Sequence, residues 1–165
     1  MEKIDFWIDK LVSFAMWLAI FVGFLMMAHI TLDVTGRILF NHPLEGTIEV
    51  ASRYYMVTVA FLPLAHVSRG DGQIIVELFT RNLAPGRILR MDTVINIITM
   101  IYMVIFAWYT TDMAIEMYHE GELGELGAGY FTVWESRWIM PISFWIMAVY
   151  LALRAVKDYR KAGEA

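Results

Sequence analysis

Apolar residues in this chain gather in four long runs separated by short polar connections. "LVSFAMWLAIFVGFLMMAHITL" covers 11–32, and "VASRYYMVTVAFLPLAHV" covers 50–67 with Arg53 as its only formal charge. "TVINIITMIYMVIFAWYTT" covers 93–111, and "WIMPISFWIMAVYLAL" covers 138–153. A helix needs roughly 20 apolar residues to cross the hydrocarbon core. The first and third runs meet this directly. The second and fourth meet it once their polar flanks lie at the headgroups. The pattern predicts an all-α integral membrane protein with one four-helix domain over 1–165. Its transmembrane helices are expected at about 11–35, 47–67, 90–113 and 134–155.

Finer periodicity adds detail. Ile4, Trp7, Ile8 and Leu11 fall at helical spacing, which predicts an interfacial turn leading into the first span. In "GQIIVELFTRNLAPG", Ile74, Ile75, Leu78 and Phe79 share one face, with Glu77 and Arg81 on the other. Pro85-Gly86 closes the stretch. This predicts a short amphipathic helix over 72–83, lying on the cytoplasmic surface of the bilayer. The alternative is a solvated loop that buries a few apolar side chains. Pro63 is expected to kink the second span, and Pro141 is a candidate for the same effect early in the fourth. The first run is longer than the roughly 7–15 residues of a signal-peptide core. Its flank, "MEKIDFWIDK", is mixed in charge, and no small-x-small cleavage site follows. An uncleaved span is expected.

Composition sharpens the class. The chain is 59% hydrophobic, with a mean hydropathy of +0.55. Soluble domains are about half apolar. Seventeen acidic and thirteen basic residues leave a formal charge of −4, which argues against a nucleic-acid partner. With no cysteine, disulfides, thiolate catalysis and Cys-based metal sites are excluded. Basic residues set the orientation. Two lie near the N-terminus (Lys3, Lys10) and four before the third span (Arg69, Arg81, Arg87, Arg90). Four more lie in the tail (Arg154, Lys157, Arg160, Lys161), whereas Arg37 and Arg137 fall on the opposite side. The positive-inside rule puts both termini in the cytoplasm and the acidic segment "EMYHEGELGELGAGYFTVWES" outside.

Candidate chemistry is sparse. His29 and His66 lie in spans, which raises the question of haem. In this topology they sit near opposite membrane faces, on the order of 20 Å apart in depth, too far to be two axial ligands of one haem. His42 and His119 fall in outer loops. Glu116 and His119 have the Glu-x-x-His spacing of di-iron bundles, but such a site needs two copies and two further glutamates. An acidic rim with Asp112 and Glu120 is the simpler reading. The twelve methionines read as packing or lipid-facing residues. No catalytic residue, cofactor site or metal site is assigned.

Charge beside a span does call for explanation. "DVTGRILFNHPLEGTIEV", 33–50, joins the first two runs. Asp33 and Arg37 are four apart, and so are Glu49 and Arg53, acid before base in the favourable helical order. Between them, Asn41 is a candidate cap and Pro43 suits a first helical turn. Two helices that extend past the bilayer edge and meet in a tight outer hairpin are expected. Arg53 lies deepest and needs Glu49, a lipid headgroup, a partner protein or a snorkelling geometry. The alternative is that both pairs only stabilise the hairpin locally.

This stretch resembles the D-V-x-x-R-x-x-F-N-x-P-L-x-G-x-x-E pattern in the small membrane subunit, the DctQ-like subunit, of tripartite ATP-independent periplasmic (TRAP) transporters. Asp33, Arg37, Phe40, Asn41, Pro43, Leu44, Gly46 and Glu49 match it. A second family block reads "GQIIVELF" here, with Gln73 in place of histidine and Glu77 in place of aspartate. The four-span layout and Pro141 are also similar. The resemblance implies a non-enzymatic accessory subunit in the bacterial or archaeal cytoplasmic membrane. Its partners would be a large membrane subunit, a periplasmic solute-binding protein and lipids. It would brace the large subunit during sodium-coupled import of an organic acid or related solute, with sodium held by that partner and no cofactor in this chain. Two other classes compete. A cytochrome b subunit or anchor of a redox complex would show a haem Soret band. A small self-assembling exporter would carry a mid-membrane carboxylate, whereas Glu49, Asp92 and Asp112 fall near span edges.

Overall fold

The computed structural model describes residues 2–69, 85–126 and 129–164. The expected interfacial helix over 72–83, with Ile74, Ile75, Leu78 and Phe79, lies outside the described residues. Among the described residues, three helices are long and apolar enough to cross a membrane: Asp5–Phe40, Arg90–Glu120 and Trp134–Arg160.

Helix α1 (Glu2–Phe40) is one continuous element of 39 residues. At 1.5 Å per residue it is about 58 Å long, well beyond a hydrocarbon core of about 30 Å. The interfacial turn expected at its start does not form as a separate element. Nothing between Glu2 and Phe40 breaks a helix: there is no proline, and Gly23 and Gly36 are isolated. Ion pairs also hold the first turns, from Asp5 to Lys157 at 3.1 Å and from Asp9 to Arg69 at 3.4 Å.

The second apolar run is helical but interrupted. Short helix α2 (Thr47–Val50) leads into a π-helical turn over Ala51–Tyr55, then α3 (Met56–Phe61) and α4 (Leu64–Arg69). Leu62 and Pro63 form a turn between the last two, as the proline predicts. Pro63 has no N–H to give back to the preceding turn. Helix α5 (Pro85–Glu120) returns across the molecule.

An antiparallel hairpin follows, β1 (Leu123–Leu126) paired with β2 (Gly129–Thr132), with Leu123 opposite Thr132. It is a short insertion in a fold that is otherwise helical, as the all-α expectation has it. "GYFTV" supplies β-branched and aromatic residues, and the flanking glycines stop α5 from continuing. A 3₁₀ turn (Trp134–Trp138) then enters α6 (Ile139–Glu164). Pro141 is fully buried in the first turn of α6, where its missing N–H breaks no helical bond, so it starts that helix rather than kinking it.

Helix α6 is central. Phe144, Met147, Ala148, Leu151 and Ala155 form a buried stripe at helical spacing. Val12 of α1 and Ala65 of α4 share a core with Met147 and Leu151. Small residues let the helices approach closely: Ala15 and Ala19 of α1 pack with Leu62, and Gly23 sits near Val59. The pairing of Asp5 with Lys157 puts the first turns of α1 and the last turns of α6 at one end of the bundle. The α1–α2 connection and the β-hairpin are at the other.

Candidate functional site

The charged residues singled out in the sequence cluster at the hairpin end. Asp33 is only 5% exposed, and both carboxylate oxygens are used. Oδ1 accepts a hydrogen bond from the Leu44 backbone N–H at 2.8 Å. Oδ2 accepts one from Arg37 Nη2 at 3.2 Å. Asp33 therefore pins the returning loop to the helix it has just left, so the carboxylate is satisfied locally, as a buried charge must be. The Arg37 side chain is mostly exposed.

The loop between these helices is shaped by two residues with positive φ. Asn41, at φ 52°, ends α1 in the left-handed conformation that asparagine tolerates, and His42 N–H then donates to the Gly36 carbonyl at 3.2 Å. Gly46 reaches φ 79° immediately before α2. A residue with a Cβ is disfavoured there by about 1–2 kcal/mol. Thr47 is buried, and its hydroxyl donates to the Leu44 carbonyl at 3.3 Å. Asn41 thus caps the end of α1, not the start of α2. Pro43 lies in the connection, four residues before Thr47, where the helix it was expected to begin starts.

The expected Glu49–Arg53 pair does not form. The π turn over Ala51–Tyr55 widens the helix between them, and in such a turn the residue stacked above a given position is five along, not four. Arg53 turns instead toward the β-hairpin, with Nη1 3.9 Å from Glu122 Oε1. Its guanidinium passes beside Gly124, where a Cβ would collide with Val133 and crowd Phe131.

Glu122 is the hub of this end. Arg137 clamps it in bidentate fashion, Nε donating to Oε2 at 2.8 Å and Nη2 to Oε1 at 2.6 Å. The Glu122 side chain is 20% exposed. Its carboxyl is held below the ordinary glutamate range, chiefly by the Arg137 hydrogen bonds, with burial opposing and the Arg137 and Arg53 charges assisting. A second set lies alongside. The Tyr54 hydroxyl is within hydrogen-bond distance of the Thr132 carbonyl (2.9 Å) and of Glu135 Oε2 (3.1 Å), and the Thr132 hydroxyl donates to Glu135 Oε1 at 2.9 Å. The backbone closes the unit, with Val133 N–H donating to the Glu122 carbonyl at 3.0 Å. Arg53 and Tyr54 are thereby tied to the hairpin and to the entry of α6. Sequence reasoning singled out Arg53 and missed Glu122, Tyr54, Thr132 and Glu135. The remaining signal was a glutamate directly after Gly121 in a segment that also holds Arg137.

The other candidates fall apart spatially. His29 Nδ1 is 3.2 Å from the Tyr55 hydroxyl, near the hairpin end. His66 sits in α4 near the opposite end, and its Nδ1 is buried without a hydrogen-bond partner. Glu116 and His119 are exposed on the last turn of α5. Among the described residues, no three His, Asp or Glu side chains converge as a metal site. At the end away from the hairpin, Arg69 donates to Ser13 Oγ at 2.9 Å, Arg154 donates to the Ser68 carbonyl, and Asn96 donates to Asp158 at 3.2 Å. These ties join α1, α4, α5 and α6 around a polar cleft of about 330 Å³.

Charged ties thus link the helices at both ends of the bundle. The family model for the DctQ component of tripartite ATP-independent periplasmic transporters matches residues 26–161. The chain belongs to this family. As a DctQ component it is a multi-pass membrane protein of a transporter family, not of an enzyme family. The match takes in the Asp33–Glu49 stretch, the β-hairpin and nearly all of α6. No curated protein and no solved structure matches the chain significantly.

Proposed function

We propose that this DctQ component is the accessory subunit that braces the large membrane subunit of a TRAP transporter. In this reading the large subunit imports an organic acid or related solute, delivered by a periplasmic binding protein and driven by sodium. The small subunit crosses the membrane four times, with both termini in the cytoplasm. Span two is the interrupted helix from Thr47 to Arg69. The polar cleft is then cytoplasmic, and the Glu122 hub is periplasmic.

One observation carries the bracing role. The hub fixes Arg53 of the second span to the β-hairpin and to Arg137 at the start of α6. The Asp9–Arg69 and Asp5–Lys157 pairs fix the opposite end. Charged ties at both ends resist shear between helices, the property a static support needs while a neighbouring domain moves. The family motif residues Asp33, Asn41 and Gly46 serve the same end by fixing the turn between the first two spans.

Reconstitution tests the proposal. Proteoliposomes holding the large subunit, this chain and the binding protein should take up solute when sodium is supplied outside. Vesicles with this chain alone should take up none. Sodium-driven uptake by the small chain alone would overturn the accessory role.

A further inference from the structure

We infer that the groove between α5 and the entry of α6, at the hairpin end, holds one phospholipid, with an acyl chain along the groove and the phosphate on Arg137. The groove has a volume of about 460 Å³, within the roughly 300–1,000 Å³ of small-molecule sites. Ile105, Phe106 and Met113 of α5 and Met140 of α6 give it apolar walls, and Tyr109, Thr110 and Arg137 complete the lining. The wall at Phe106 is set by packing within the chain. Its ring meets those of Tyr102 and Phe144 at centroid distances of 4.5 and 5.7 Å. The Thr110 hydroxyl donates to the Phe106 carbonyl at 2.7 Å, so it adds no unpaired donor to the lining.

Charge at the mouth of the groove identifies the occupant. The charge-free stretch of α5 ends at Asp112, so Met113 lies at the membrane boundary. Ile105 lies seven residues inside Asp112, about 10 Å deeper. The groove therefore opens among headgroups and runs into hydrocarbon, the path of an acyl chain. Arg137 stands at its boundary end, because its partner Glu122 comes just past the end of α5. The clamp on Glu122 uses Nε and Nη2. Nη1 has no hydrogen-bond partner among the described residues, and the side chain is 44% exposed. Glu122 is also shared with Arg53, so these three side chains carry an excess positive charge. A phosphate diester carries one negative charge and accepts strong, charge-assisted bonds from a guanidinium. The Tyr109 hydroxyl, likewise without a partner among the described residues, supplies a donor near the boundary for an ester carbonyl.

Size argues against a protein helix as the occupant. A helix 10–12 Å across, laid along the eight residues from Ile105 to Met113, would take on the order of 1,000 Å³, about twice the groove. A single file of methylenes is the slimmer guest, and the flexible side chains of Met113 and Met140 adapt to it. The headgroup is constrained too. Glu116 is exposed one turn beyond Met113 on the same face of α5. A second negative charge there would meet a carboxylate, whereas an ammonium would be welcome. The ligand is therefore a zwitterionic phospholipid of the phosphatidylethanolamine type, from the leaflet at the hairpin end.

Lipid retention tests this. The full chain, with whatever subunits purify with it, is exchanged extensively into mild detergent, and a benzophenone side chain at Met140, or separately at Ile98, is then activated. Ile98 is exposed on α5 about 10 Å deeper than Ile105 and does not line the groove. Mass spectrometry should find a phospholipid adduct at Met140 and none at Ile98. In the second arm, delipidated protein is titrated with phosphatidylethanolamine and with the diacylglycerol of the same chains, which lacks the phosphate. The diacylglycerol should bind roughly tenfold more weakly or worse, the loss expected for a hydrogen bond to a charged group. Arg137→Gln should weaken phosphatidylethanolamine to the same degree. Ile105→Trp, which fills the groove and leaves the clamp untouched, should abolish retention even if Arg137→Gln fails to fold. Equal binding of the two lipids would overturn the inference, as would retention unchanged in Ile105→Trp. So would a protein adduct at Met140, whether with another subunit or with a second copy of this chain.

Discussion

The carboxylate of Glu122 receives two hydrogen bonds from the guanidinium of Arg137, at 2.8 and 2.6 Å, across fifteen residues of chain that include the β-hairpin. This bond closes the hairpin onto the entry of α6. A bidentate pair depends on the planar fork of arginine, which lysine lacks. Arg137→Lys should therefore lower stability by about 1 kcal/mol or more even though charge is kept. Glu122→Gln should cost about 1.5–3 kcal/mol, the range for hydrogen bonds to charged groups. Thermal unfolding in detergent, followed by size-exclusion recovery, measures both. Equal midpoints for wild type and Glu122→Gln would show that the clamp is energetically idle.

The same carboxylate predicts a pH dependence. Its pKa is lowered in the folded chain, first by the Arg137 hydrogen bonds. A lowered carboxyl pKa contributes stability that is complete above the unfolded value, about 4.3 for glutamate. That contribution is lost as pH falls through the folded value. The midpoint difference between wild type and Glu122→Gln should be constant above about pH 5 and shrink progressively below about pH 4. A difference that grows on acidification would contradict the sign.

Arg53 should couple to Glu122 and not to Glu49. The first distance is 3.9 Å, and the π turn carries Arg53 away from the second partner. A double-mutant cycle with Arg53→Ala and Glu122→Ala should give an interaction energy of about 0.2–1 kcal/mol, because Arg53 retains some exposure. The cycle with Glu49→Ala should give none within error. The reverse outcome would place Arg53 over Glu49 in the membrane.

Asp33 and Arg37 touch each other but are not equivalent. Asp33 is buried and holds the Leu44 N–H, whereas Arg37 points mostly outward. Asp33→Ala should cost about 1–3 kcal/mol, because it strands a backbone donor. Arg37→Ala should cost about 0–1 kcal/mol. Hydrogen exchange at Leu44 gives a local reading: protection should vanish in Asp33→Ala and persist in Arg37→Ala.

The sequence carried the apolar runs, the reversal after Phe40 and the break at Pro63 because each follows from local rules of length, turn chemistry and missing donors. It did not carry the partners of the charges. Glu49 and Arg53 are four apart, and only the π turn, which costs one register step, separates them. Helical spacing assumes a regular helix and so paired them. The β-hairpin was hidden for a different reason. "GELGELGAGYFTV" reads as a glycine-rich acidic loop, since its strands are only four residues each. Their stability comes from the long-range contacts of Arg53, Tyr54 and Arg137, which no local window contains.

The segment from Gly72 to Leu83 yields the last prediction. Ile74, Ile75, Leu78 and Phe79 lie on one stripe when the segment is helical, and Glu77 and Arg81 lie on another. A helix parallel to the cytoplasmic surface would set the first group against lipid or neighbouring helices. Full burial is worth roughly 1.5–3 kcal/mol per side chain, and about half of that is expected at an interface. Ile75→Asp with Phe79→Asp should weaken the seating of the subunit and reduce recovery of the large subunit, without preventing insertion of the spans. The native chain has no cysteine, so labelling reports the orientation without background. A membrane-impermeant thiol reagent on the cytoplasmic side should react readily with Glu77→Cys and Arg81→Cys. It should react slowly with Leu78→Cys. Equal rates at all three positions would make the segment a solvated loop, and equal recovery of the large subunit with the double aspartate variant would remove its role in seating.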